Sequence, residues 1–193
     1  TDQPHAWQEL CVTRVLGNRN TVVNGRVGAQ SESYAEFYSE WLSIRRFSEV
    51  EQRVMPARID SWPLRPNIVP IVIDSAGDDV ALATTLRSIE GQLYPAQAVV
   101  VLSDARCEVN DRVLQLPYQS DWARQLNAIV AQLEGAHWFY LLRAGDTLRD
   151  SALLILAERV AGKPGILCAY SDEGALVNGE SIEPVFKPDF NLD

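Results

Sequence analysis

From residue 66 onward the chain alternates short apolar runs with stripes of apolar residues at helical spacing, and this alternation constrains its fold more than any other feature. Ile68 to Ile73 is a continuous, β-branched run, short for a helix and too apolar for a strand with one wet face, so it predicts a strand buried on both sides. Asp78 offers a side-chain cap to a helix whose Leu82, Leu86, Ile89 and Leu93 share one face, with Tyr94-Pro95 at its end. Ala98 to Leu102 and Val113 to Leu116 read as strands. Trp122, Leu126, Ile129, Val130 and Leu133 form the next helical stripe, stopped near Gly135. Trp138 to Leu142 predicts a strand, Ala152 to Val160 a helix, Ile166 to Tyr170 a strand, and Ala175 to Ile182 a hairpin turning on Asn178-Gly179. The fold class that follows is α/β, a mostly parallel sheet flanked by helices, because parallel neighbours need long crossovers and helices supply them. Ligands of such sheets bind beyond the carboxyl ends of the strands, so the loops after residues 73, 102 and 142 are the places to look for chemistry.

The first 62 residues read as a helical lead-in, with residues 63–193 as the α/β unit. Residues 1 to about 30 are polar and weakly periodic, with a small hairpin expected on Asn24-Gly25. Ser33 and Glu36 make a capping box ahead of Tyr34, Phe37, Tyr38, Trp41 and Leu42, an aromatic helix face expected to pack on a neighbour. A short helix is expected from Val50 to Val54. Pro56, Pro63, Pro66 and Pro70 then predict a linker in which no helix continues.

Composition narrows the function. The 17 Lys and Arg stand against 26 Asp and Glu, a net charge of −9, which repels nucleic-acid phosphates and makes a nucleic-acid partner the wrong expectation. A local Arg can still draw an anionic nucleotide into a cleft. Cys11, Cys107 and Cys168 are odd in number and widely spaced, which speaks against a disulfide framework or zinc site and for a reducing cytoplasm. No apolar run reaches the roughly 20 residues of a membrane span. The chain has no glycine-rich phosphate loop, no G-x-G-x-x-G turn and no G-x-S-x-G elbow, and its two histidines, His5 and His137, are too far apart in sequence to suggest a triad or metal site. Thr1 in place of Met suggests an excised piece of a longer protein.

Several short motifs fall in order along this pattern: Pro66-Asn67-Ile68-Val69, then Leu86-Arg87-Ser88-Ile89 with Gln92 and Tyr94-Pro95, then Ser103-Asp104, Asn127, Gly135 with Trp138 to Leu142, Tyr170-Ser171-Asp172-Glu173, Pro184 and Phe186-Lys187-Pro188-Asp189. Together they resemble family-2 glycosyltransferases of bacterial surface-polysaccharide synthesis over about residues 63 to 193. The resemblance implies the donor-binding half of a GT-A fold, in which a nucleotide-diphosphate sugar lies across the strand ends. It implies a UDP- or dTDP-sugar donor, a glycan acceptor, and other domains of a larger protein as partners. The expected site is cytoplasmic, with peripheral association at the inner face of a membrane as an option. By the same resemblance, Asp104 takes the position that contacts the pyrimidine N3–H, Asn127 lies in a donor-site helix, and Asp172 and Glu173 form the acidic pair near the donor sugar. Lys187 is placed to face phosphate. Plainer alternatives are Asp104 as a turn cap, Asp172 and Glu173 as hairpin caps, and Lys187 as a solvated charge or a partner of Asp172.

The departures from the family pattern are as informative. Its D-x-D-D metal motif reads Arg143-Ala144-Gly145-Asp146 here, so Asp146 is the one acidic candidate left for a manganese or magnesium ion. A hard cation needs several oxygen ligands, so no cofactor is assigned and a divalent cation stays doubtful. The first loop reads Ile73-Asp74-Ser75-Ala76, which makes Asp74 a donor-binding candidate, and one acidic position of the second loop has become Ser103. Arg143 either replaces the metal with a permanent forked cation or pairs with Asp146 or Asp104 in an idle site. The joint drift of three loops favours a weakened site. The family's catalytic base lies beyond the position matching Asp193, so transfer is not expected of this chain alone and no catalytic residue is assigned. The expected function is a glycosyltransferase-like domain, weakened or inactive in transfer; the alternative is a non-catalytic scaffold or partner-binding module on the same fold.

Overall fold

The computed structural model describes residues 12–15, 38, 40, 42–44, 46–107, 110–136, 138–163, 165–171, 173–177 and 180–185. Its centre is a four-stranded parallel sheet of β2 (Ile68–Ile73), β3 (Val99–Leu102), β4 (Val113–Leu116) and β5 (Trp138–Arg143), in the order β4-β3-β2-β5. The chain builds outward from β2 through β3 to β4, then crosses back to place β5 on the other side of β2. The direction of winding therefore reverses between β2 and β5.

Helices cover both faces. Strand side chains alternate with period two, so Ile68, Val72, Val99, Val101 and Leu142 join one core and Val69, Ile71, Val100 and Leu102 the other. Against the first lie α1 (Glu49–Asp60) through Met55 and Ile59, α2 (Asp79–Glu90) through Leu82 and Ile89, and α4 (Ala152–Ala161) through Leu153, Leu154 and Val160. Against the second lies α3 (Trp122–Val130) through Ile129, with Trp122 and Leu126 beside it. Burial on both faces explains why β2 and β3 read as unbroken apolar runs.

A second four-stranded sheet, mixed in direction, runs β6-β1-β7-β8: β1 (Val12–Val15) pairs antiparallel with β6 (Asp146–Leu148) and parallel with β7 (Glu173–Val177), which pairs antiparallel with β8 (Glu180–Val185). β7 and β8 thus form the hairpin expected over Ala175 to Ile182, and Asn178 and Gly179 lie outside the described residues.

Four sequence expectations differ from the structure. Ile166 to Tyr170 is not a strand: Leu167 and Tyr170 are exposed, and the strand begins at Glu173. An apolar β-prone run fits a pleated surface but supplies no partner strand. Pro56 does not stop a helix; it sits inside α1, which runs 12 residues rather than five. The helix tolerates the missing donor because Ser48 and Glu51 close a full capping box at its start and Met55 and Ile59 anchor it in the core. Pro70 is no linker residue but lies in β2, where pairing with β3 starts only at Ile71. Finally, α2 ends at Glu90 with Gly91 as its cap, short of Tyr94; the Tyr94 hydroxyl instead donates to the Pro66 carbonyl at 2.6 Å and its ring stacks on Trp62. Of the aromatic stripe, Tyr38 and Leu42 are buried and helical, and the Arg149 guanidinium donates to the Leu42 carbonyl at 3.0 Å. Tyr34, Phe37, Trp41, the Ser33–Glu36 box and the Asn24-Gly25 hairpin lie outside the described residues.

Candidate functional site

The strand order places the switch point between β2 and β5, the place where crevices form in open α/β sheets. Ile73 at the end of β2 lies opposite Leu102 of β3 on one side and Arg143 of β5 on the other. Two strand spacings, about 10 Å, therefore separate the β3 and β5 ends across β2. Asp74 and Ser103-Asp104, which follow β2 and β3, and Arg143, which ends β5, thus stand at the same edge of the sheet.

Asp74 is turned into the fold. It is 2% exposed, and its Oδ1 accepts from the backbone N–H groups of Ala76, Gly77 and Asp78 at 3.1, 2.9 and 3.4 Å. Gly77 takes φ +67°, a left-handed turn that lets successive amides converge on one oxygen. The other oxygen, Oδ2, accepts from the Ser103 hydroxyl at 2.6 Å, and Ser103 Oγ in turn accepts from the Ala105 N–H at 2.9 Å. The serine that stands where the resemblance implies an acid is thus the partner that buries Asp74. Asp74 and Ser103 together tie the first loop to the second.

The next loop is braced as well. Gln115 Nε2 donates to the Ser103 and Ala105 carbonyls at 3.1 and 2.7 Å, while its Oε1 accepts from the Cys107 thiol at 2.8 Å. Burial pushes the Cys107 thiol up from its ordinary value. Asp104, one residue past buried Ser103, is exposed.

The amino end of α2 points into this region but is already served by carboxylates. Asp78 Oδ1 accepts from Val80 and Ala81 N–H at 2.9 and 3.0 Å, beyond the amides that Asp74 gathers. Asp79 accepts from the Arg106 N–H at 2.9 Å. Free helix N-termini bind phosphate because their amides lack partners; here two side chains from the same loop take that role.

Arg143 is exposed and begins a turn that carries the chain from one sheet to the other. Its N–H donates to Asp146 Oδ2 at 3.0 Å, so the Asp146 carboxyl closes the turn on itself. Gly145 takes φ +97°, a conformation that disfavours any side chain. Its N–H donates to Thr85 Oγ1 at 2.9 Å, and the Thr85 hydroxyl donates to the Asp146 carbonyl at 2.7 Å. Further along, Ser88 Oγ accepts from the Leu148 N–H at 3.1 Å, and Gln92 donates to the Arg149 carbonyl at 2.7 Å while accepting from the Leu153 N–H at 3.0 Å. Thr85, Ser88 and Gln92 thus hold the backbone from Gly145 to Leu153 along one side of α2. Ser88 and Gln92 stood out in the sequence only as part of the resemblance, and Thr85 not at all. A signal was present: Thr85 within the buried Leu82–Ile89 stripe, and Gln92 just beyond it, bring polar atoms that must find partners.

The other candidates lie apart. Asn127 is exposed on α3, about 7 Å along the helix axis from Trp122. Glu173 opens β7 opposite Val12, whereas Asp146 lies opposite Arg14. Their Cα atoms are therefore on the order of 12 Å apart, too far to share one ion. Asp172, Lys187 and His137 lie outside the described residues. Asp146 is the one carboxylate at the motif's place, and among the described residues no three His, Cys, Asp or Glu side chains gather as ligands. These residues do not fit a divalent cation. No helix among them is long and apolar enough to cross a membrane.

No protein-family model, curated protein or solved structure matches this chain.

Proposed function

We propose that this chain is a glycosyltransferase-like domain that binds the nucleotide diphosphate of a sugar donor in the β2/β5 crevice, without a metal and with little or no transfer of its own. The observation that carries the reading is the register: Arg143 and Asp104 leave strands on either side of β2 and are both exposed, while Asp74 between them is withdrawn into the fold. Arg143 supplies a permanent cation with a forked donor set for phosphate oxygens. Asp104 supplies an acceptor for a base N–H. The glycosyltransferase part of the reading rests on the ordered motifs from Pro66 to Asp189 and on an α/β architecture compatible with them.

Calorimetric titration with UDP and with dTDP, with and without manganese, tests it. Metal-independent binding that disappears in Arg143→Ala is the expected result. Binding that requires manganese overturns the role of Arg143. A second reading, a scaffold that keeps the fold without ligand, is favoured by one observation: the carboxyl groups of Asp74 and Asp146 both accept from their own loops. No heat with either nucleotide supports that reading and defeats the first.

A further inference from the structure

We infer that Thr85 is a positioning residue for Arg143, an inference that rests on the nucleotide-binding reading above. Thr85 is fully buried in α2, yet its hydroxyl serves the crevice loop rather than its own helix: it receives the Gly145 N–H at 2.9 Å and gives its proton to the Asp146 carbonyl at 2.7 Å. The weaker approaches to the Ala81 carbonyl at 3.3 Å and the Arg143 carbonyl at 3.5 Å compete for that same single proton, so the shortest bond takes it. The hydroxyl thereby clamps both peptides of a turn whose first residue is Arg143.

The Gly145 N–H is shared between the Thr85 hydroxyl and the Ala81 carbonyl at 3.2 Å, and the shorter bond goes to Thr85. A glycine at φ +97° readily takes other conformations when its amide is held less firmly. Arg143 has two further restraints, the bond from its own N–H to Asp146 and the ladder opposite Ile73, and the first of these depends on where Asp146 is held. The Ala144 N–H donates to the Ile73 carbonyl at 3.0 Å on the β2 side of the turn, while its Gly145–Asp146 side carries the Gly145 bond to the Ala81 carbonyl at 3.2 Å and the pairing of Asp146 with Arg14 of β1. Thr85 adds to these a side-chain hydroxyl that holds the Gly145 N–H and the Asp146 carbonyl together. A long flexible cation recognises phosphate well only when its backbone is already in place, since each bond otherwise has to be made against lost conformational freedom.

The test compares Thr85→Val, which keeps the shape and removes the hydroxyl, with Thr85→Ser, which keeps the hydroxyl and removes the methyl. The two readouts are UDP affinity by calorimetry and hydrogen exchange at the Gly145 amide. Thr85→Val should bind UDP about tenfold more weakly, with faster Gly145 exchange, and Thr85→Ser should recover both. Gly145→Ala approaches the same turn from the other side: its added methyl would sit 3.8 Å from the Ala81 Cβ, so it fits, but the backbone must hold φ +97°. It too should weaken UDP binding, and it decides the question if Thr85→Val does not fold. Wild-type affinity in Thr85→Val, or equal losses in the valine and serine variants, overturns the positioning role alone. A wild-type protein that binds no UDP overturns the nucleotide reading together with it, and protected Gly145 exchange then marks the clamp as a folding device.

Discussion

The loop architecture at the crevice predicts that Asp74→Ala destabilises the whole domain, although Asp74 sits at a place where a ligand-contacting acid would be expected. The substitution leaves three backbone N–H groups and the Ser103 hydroxyl without their acceptor, in a site where the carboxylate is 2% exposed. A hydrogen bond to a charged group contributes about 1.5–3 kcal/mol, and bonds to one group are not additive. The bond at 3.4 Å to Asp78 N–H is weak, and the Ala76 and Gly77 amides regain some water once the side chain is removed. A net loss of about 2–4 kcal/mol follows, which for a chain of 193 residues lowers Tm by roughly 4–16 °C. Urea unfolding followed by circular dichroism measures it, with an unchanged slope expected, because the same surface is exposed in both proteins. Ser103→Ala should cost less, about 1–2 kcal/mol, since it removes one bond to each of its two partners. Its combination with Asp74→Ala should then cost clearly less than the sum of the two. A stability for Asp74→Ala within about 0.5 kcal/mol of wild type would refute the reasoning. It would mean that the amides are served equally well by water and that Asp74 is open to a ligand.

Three further outcomes follow from the same structure. Gln92→Ala should lower stability by about 1–3 kcal/mol in the same unfolding assay, because it frees the buried Leu153 N–H and Arg149 carbonyl at once. The start of α1 should loosen in acid: the Ser48 hydroxyl and N–H hold the Glu51 carboxyl below its ordinary value, so its contribution is complete above the usual carboxylate range and is lost as pH falls through the lowered folded-state value. Hydrogen exchange over residues 48–52 between pH 3 and 6 reads this, and Glu51→Gln should abolish the pH dependence. In native protein near neutral pH, iodoacetamide should label exposed Cys168 well before Cys107, whose thiol is partly buried, raised by that burial and donated to Gln115; peptide mass spectrometry gives the order.

Much of the fold is legible along the chain wherever a periodic signal coincides with burial. β2 to β5 and α2 to α4 occur close to where short apolar runs and helical spacing put them, because a core on both faces of the sheet makes its strands apolar throughout and a core on one face of a helix imposes the helical period. The second sheet is not legible in the same way. β1 and β6 are four and three residues long, too short to show a period, and they exist as strands because β1 lies between β6 and β7, segments more than 130 residues away in sequence. Pro56 misleads for a related reason: a propensity argument prices the lost hydrogen bond of one residue, while the Met55 and Ile59 contacts and the cap at Ser48 act on the whole helix.

The candidate site divides along the same line. Residue order alone places Asp74, Asp104 and Arg143 at strand ends, because a parallel α/β sheet puts the residue after each strand at one edge. Whether a charge at that edge meets a ligand or its own backbone depends on amides and hydroxyls contributed by other loops. Asp74 is taken inward by Gly77 and Ser103, Asp146 by the Arg143 amide, and the turn between them by Thr85, whereas Asp104 and Arg143 remain exposed. Local spacing carries periodicity, and so predicts elements; hydrogen-bond satisfaction in a buried loop is a property of atoms brought together from three separate segments, and the folded arrangement settles it.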